Sequence, residues 1–118
     1  MTVICKLSDL AEGHLTPAML GRAPILVTLV RGEPRAVAAR CPHQGADLQA
    51  GCLVGRVSTR PDGAITVDPA RPVLRCPWHG FEYDLATGEP LVQSPAHRRM
   101  RLRIYAVRVQ AGDVVIDA

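Results

Sequence analysis

The stretch Ala23-Pro-Ile-Leu-Val-Thr-Leu-Val30, followed by Arg31-Gly-Glu-Pro34 and then Arg35-Ala-Val-Ala-Ala-Arg40, decides the fold class. Ile25 to Val30 is apolar and rich in branched aliphatic residues, which predicts a strand. Gly32 and Pro34 supply turn chemistry, and Arg35 to Arg40 returns as the second strand of a hairpin. The same grammar repeats on either side. Thr2 to Leu7 reads as a strand. Near the end, Met100, Leu102, Ile104 and Ala106 alternate with Arg99, Arg101, Arg103 and Tyr105, and a turn at Gln110–Asp113 leads into Val114 to Asp117. A further hairpin is expected within residues 52–73, where Pro61-Asp-Gly63 separates Val54–Ser58 from Ala64–Val67; it reads as a surface excursion of low cost to stability. Ser8–Leu10 and Pro17–Leu20 each have room for one helical turn, and no longer stretch keeps a 3.6-residue period. The expected class is all-β, a sandwich or small barrel, in one domain spanning residues 1–118.

Composition removes several functions. With 47% apolar residues the chain is of globular type, and a formal charge of +3 is too mild to argue for nucleic acid. Basic charge is carried almost wholly by Arg, with Lys6 the sole lysine, which reads as coding bias. The longest apolar run, Ala23–Val30, is far shorter than the ~20 residues of a spanning helix. Met1–Asp9 has no charged region followed by an apolar one, so no signal peptide and no membrane association are expected, and the expected compartment is the cytoplasm. There, four cysteines favour metal binding or free thiols over a disulfide framework.

Two segments carry chemistry: Cys41-Pro-His43-Gln-Gly45-Ala46 and Cys76-Pro-Trp-His79-Gly80-Phe81. Each pairs one thiol with one imidazole, with a proline to stiffen the loop and a glycine to let the backbone pass close to a bulky centre. Together they offer a four-ligand site of two sulfurs and two nitrogens. Zinc accepts such a set, but its usual spacings pair Cys with Cys and His with His. One of each per loop suits a two-iron centre with thiolates on one iron and imidazoles on the other. Two thiolates leave the oxidised cluster neutral, whereas four would leave it doubly negative, so the mixed set accepts an electron more readily.

In these motifs the chain resembles the Rieske 2Fe-2S proteins, whose ligand patterns are Cys-x-His and Cys-x-x-His. The likeness continues through Phe81-Glu-Tyr-Asp84-Leu-Ala-Thr-Gly88 and into Tyr105–Val109. It implies that Cys41 and Cys76 hold the inner iron and His43 and His79 the outer one. It also implies a β-sandwich with a cluster-binding part at about residues 40–84. Respiratory members brace the cluster with a disulfide, whose positions here are Ala46 and Trp78, and place a serine where this chain has Phe81; Tyr83 is kept. The expected potential is therefore at the bottom of the family's span, near about −150 mV. The resemblance implies a soluble ferredoxin type.

The remaining candidates read more plainly. Cys5 and Cys52 are expected to be small buried hydrophobes, and His14 and His97 surface residues. Arg98, Arg99, Arg101 and Arg103 form a basic stripe that either protects a strand edge or docks an acidic redox partner. Trp78 and Phe81 shield the cluster or form an apolar rim for a transient interface. No Gly-x-Gly-x-x-Gly occurs for a nicotinamide or flavin, and the chain lacks room for a second, mononuclear iron site. The function expected is thus that of a one-electron carrier rather than an enzyme by itself, passing electrons from a flavoprotein reductase to a terminal oxygenase. The alternatives are a small subunit partnering the large subunit of an assimilatory nitrite reductase, and a structural zinc module that mediates contacts. A redox-sensing adaptor built on Cys5 or Cys52 has only their presence in its favour.

Overall fold

The computed structural model describes residues 1–42, 45–78, 80–91 and 100–117. His43, His79, His97, Arg98 and Arg99 lie outside these. Among the described residues the elements are nearly all strands: β1 (Thr2–Lys6), β2 (Thr16–Leu20), β3 (Ala23–Val30), β4 (Glu33–Ala38), β5 (Cys52–Thr59), β6 (Ile65–Arg75), β7 (Glu82–Asp84), β8 (Ile104–Tyr105), β9 (Val107–Gln110) and β10 (Asp113–Ile116). Short 3-10 turns occupy Leu7–Asp9 and Leu48–Ala50. The strands form three antiparallel sheets ordered β1-β10-β9, β2-β3-β4-β8 and β5-β6-β7.

The sheet built on the β3–β4 hairpin lies in the middle, and alternation along β3 shows it. Leu26 and Val30 enter one core with Val37, Ala39, Leu48, Leu74, Tyr83, Leu85 and Leu102. Ile25 and Val27 enter a second core with Leu10, Ala36, Val114 and Ile116. Burial on both faces is why the run Ile25–Val30 is apolar at every position but Thr28, itself buried, instead of alternating with polar residues. The first core is the one shared with the β5-β6-β7 sheet and the Cys-containing loops, so the central sheet is the floor on which those loops stand.

Two expectations are corrected. Pro17–Leu20 is not a helical turn; it is most of β2, paired to β3 from Thr16↔Val27 to Leu20↔Ala23. Its residues have no strong strand preference, but cross-strand pairing overrides a weak local one. Proline is tolerated because β2 is an edge strand, where a missing N–H need not interrupt a ladder. The alternation expected from Met100 to Ala106 also breaks. Ile104 packs on the first core, Tyr105 and Val107 pack on the second, and Ala106 is exposed. The chain crosses there from the central sheet to the outer one. A residue on the central sheet is buried whichever way it points, so strict alternation loses its meaning.

The 52–73 hairpin exists, with its turn at Arg60–Ala64 and its ladder running on to Cys52↔Arg75. Its outer half is exposed, as a surface excursion should be, while its base carries Leu74 into the first core and packs Leu53 against it.

Candidate metal centre

Both Cys-containing loops are closed in the same way. In the first, the Cys41 N–H donates to the Ala46 carbonyl at 2.9 Å; in the second, the Cys76 N–H donates to the Phe81 carbonyl at 2.6 Å. Each link spans five residues. The flanks also match: Arg40 bridges Asp47 across the first loop, and Arg75 pairs with Glu82 across the second, where an ion pair of 3.0 Å reinforces it. Gly45 and Gly80 both adopt positive φ, +72° and +67°, as expected of glycines that turn a tight loop. The second loop is simply the connection of β6 to β7, and the first follows β4 through Ala39 and Arg40.

These frames bring two cysteines 35 residues apart in sequence side by side. Cys41 and Cys76 are 2% and 3% exposed, and their thiols interact directly. The hydroxyl of Tyr83, the fully buried residue of β7, sits 3.1 Å from the Cys41 sulfur; facing a thiolate it can only donate. The Trp78 N–H donates to the Cys76 sulfur at 3.4 Å. Burial raises the Cys76 thiol pKa, the Trp78 amide pulls it back, and the adjoining Cys41 sulfur raises it again. Two buried soft donors, pressed together and each met by a hydrogen-bond donor, suit a metal that takes thiolates and is tuned by bonds to sulfur. The surrounding Leu48, Leu74, Leu85 and Leu102 are buried and keep the sulfurs dry.

His43 and His79, the other two expected ligands, lie outside the described residues. Phe81 packs against the first core, whereas Trp78 is 51% exposed. Elsewhere, Cys52 is exposed, correcting the expectation of burial: it opens β5 opposite Arg75, on a face that no core residue covers. Cys5 is half-buried against the second core, and His14 is exposed. Arg101 is paired with Glu89 at 2.8 Å, and Arg103 lies over the Tyr105 ring at 4.9 Å. Tyr83 was legible in the sequence only through the resemblance, as a tyrosine that is kept; the Trp78 amide contact was not, because a backbone donor leaves no trace in residue type.

Among the described residues no helix is long and apolar enough to cross a membrane. The chain is 31% identical over 86 residues to apoptosis-inducing factor 3 of Homo sapiens and of Mus musculus, a match covering 73% of this chain but only 12% of those proteins. Among solved structures it resembles a chain from the complex of reduced oxygenase and oxidized ferredoxin in carbazole 1,9a-dioxygenase. That likeness has a TM-score of 0.70 at 27% identity, covering 98% of this chain and 100% of the other. It also resembles a putative NADPH nitrite reductase small subunit, with a TM-score of 0.74 at 16% identity over 99% and 97% of the two chains, a likeness of fold alone. The Rieske [2Fe-2S] domain profile matches residues 1–109, and with it comes a Rieske-type 2Fe-2S cluster and the role of electron carrier. The chain belongs to the Rieske [2Fe-2S] domain family.

Proposed function

We propose that this chain is a ferredoxin component that carries single electrons from a flavoprotein reductase to a terminal oxygenase. In this reading Cys41 and Cys76 hold the inner iron, His43 and His79 hold the outer iron, and no catalysis occurs on the chain alone. The observation that carries it is the facing pair of buried cysteines in two loops of identical closure, with half-exposed Trp78 beside one of them. When bound, the cluster supplies a one-electron couple at an iron pair. The chain's own residues do the rest. Cys41 and Cys76 supply negative charge from within the core, Tyr83 and the Trp78 amide offset part of it by donating to sulfur, and the leucine shell excludes water. Trp78 offers an apolar contact of the size that suits a small, transient electron-transfer interface. The 27% identity to a chain of an oxygenase–ferredoxin complex supports this class of partner, beside 16% and 21% for the two nitrite reductase small subunits.

The test is reconstitution. Purified chain, a flavoprotein reductase, NADH and a terminal oxygenase from the same cells should give oxygenated product at a rate proportional to the chain added, and none without it. His79→Cys should lower the reduction potential or lose the cluster. A sirohaem protein co-purifying in equal amount, with no oxygenase turnover, would replace the oxygenase reading with the nitrite reductase one.

A further inference from the structure

We infer that Arg40 fixes an uncompensated positive charge on the first Cys loop and thereby favours the reduced state of the cluster. The inference rests on the ligand set proposed above. The two loops share one eight-residue pattern, Arg40-Cys-Pro-His-Gln-Gly-Ala-Asp47 and Arg75-Cys-Pro-Trp-His-Gly-Phe-Glu82. Each opens with an arginine and ends with an acid. The backbone sets these end residues opposite one another, Arg40 against Asp47 and Arg75 against Glu82. Equivalent charges in equivalent frames ought to make equivalent ion pairs.

They do not. Arg75 donates to one Glu82 carboxylate oxygen through both Nε and Nη2, at 3.3 and 3.0 Å, so the second loop holds its charges as a neutral pair. Asp47 is one methylene shorter than Glu82 and stands just ahead of the 3-10 turn Leu48–Ala50, where its carboxylate accepts the Gln49 N–H at 3.0 Å. Arg40 makes no ion pair among the described residues. Its guanidinium turns back into the loop instead, and Nη1 donates to the Gly45 carbonyl at 3.4 Å. Gly45 is in turn tied to the cysteine, its N–H donating to the Cys41 carbonyl at 2.7 Å. The charge is thus anchored on the turn of backbone that carries Cys41.

A charge held there acts on the metal centre because reduction adds one negative charge to it. A fixed cation nearby stabilises the reduced state more than the oxidised one and raises the potential, and a carboxylate does the reverse. In the second loop the two effects largely cancel. In the first, the bond to Gly45 holds the guanidinium on the loop while the Asp47 carboxylate is engaged by Gln49. Arg40 is exposed, so water and salt screen its effect. A unit charge about 8 Å away across water changes a one-electron reduction equilibrium roughly two- to threefold.

Redox titration of the cluster-loaded full chain, followed by its visible spectrum at low and at high salt, tests this. Arg40→Gln should lower the reduction equilibrium constant about two- to threefold at low salt, and the difference should shrink at high salt. Arg40→Lys keeps the charge and should stay close to wild type. Glu82→Gln leaves Arg75 uncompensated and should shift the equilibrium the other way, toward the reduced state. An Arg40→Gln form that titrates like wild type overturns the inference, and so does an Arg40→Lys form that falls as far as Arg40→Gln. Should Arg40→Gln fail to load, the other two variants decide, and a Glu82→Gln form that titrates like wild type overturns it. Wild-type protein that loads zinc in place of iron removes the ligand set and this inference together. Wild-type protein with about two irons and a rhombic EPR signal, beside variants that do not shift, removes this inference alone.

Discussion

At the scale of single residues, the proposed ligand set makes Tyr83 the side chain that would tune the cluster most directly. Its hydroxyl is 3.1 Å from the Cys41 sulfur in a fully buried position, and a bond donated to a ligand sulfur favours the more negative, reduced state. Tyr83→Phe keeps the ring and removes the donor. A net hydrogen-bond contribution of about 1 kcal/mol corresponds to roughly 40 mV for a one-electron couple, so protein-film voltammetry should show the potential falling by tens of millivolts. An unchanged potential would remove Tyr83 from the tuning set. Ala46 and Trp78 stand where a bracing disulfide occurs in respiratory relatives, and Phe81 where they carry a hydroxyl, so the wild-type potential is expected at the low end of the family. The thiols away from the centre divide by environment. Burial, then Asp9 and Asp113, raise the Cys5 pKa, which keeps it protonated and slow toward electrophiles at neutral pH. Cys52 is exposed and should be alkylated several-fold faster by iodoacetamide; peptide mass spectrometry on the cluster-loaded protein measures both rates, and equal rates would contradict the assignment.

At the scale of elements, Gly88 joins the β7 turn to the chain that leads into β8. Its N–H donates to the Asp84 carbonyl at 2.7 Å, and its carbonyl accepts from the Leu102 N–H at 2.8 Å. The backbone runs at φ +78°, and a Cβ there would lie 2.0 Å from the Leu102 carbonyl oxygen. Gly88→Ala therefore combines a disfavoured conformation with a backbone clash, and should destabilise the protein by about 3 kcal/mol or more. Thermal melting should fall on the order of 10 °C. What the sequence made readable at this scale follows from local chemistry: the β3–β4 and β9–β10 hairpins announce themselves through apolar runs bounded by glycine turns. What stayed hidden depended on the neighbours. Pro17–Leu20 becomes a strand only because β3 lies beside it, and Tyr105 is partly buried only because the central sheet is covered on both faces. The exposure of Cys52 is of the same kind, set by which face of β5 the core leaves bare.

At the scale of the whole molecule, the long extent is 47 Å against 28 and 21 Å, and the Cα radius of gyration is 14.7 Å where a compact chain of this length gives about 13.5 Å. The surplus agrees with a ribbon that projects from an otherwise compact stack of three sheets. The paired cysteines and the projecting ribbon occupy different ends of β6. That the two loops carry chemistry was legible from two six-residue motifs because thiol and imidazole are written in residue types. Which face of the ribbon lay bare was not, since that depends on the ladder register. The central claim is that Cys41, His43, Cys76 and His79 together hold a two-iron cluster. The measurement that tests it most directly is the EPR spectrum of the dithionite-reduced protein, taken beside an iron and zinc assay. The account predicts a rhombic signal of low average g with about two irons per chain, lost in Cys41→Ser and in His43→Ala. A colourless, EPR-silent protein carrying zinc would contradict it.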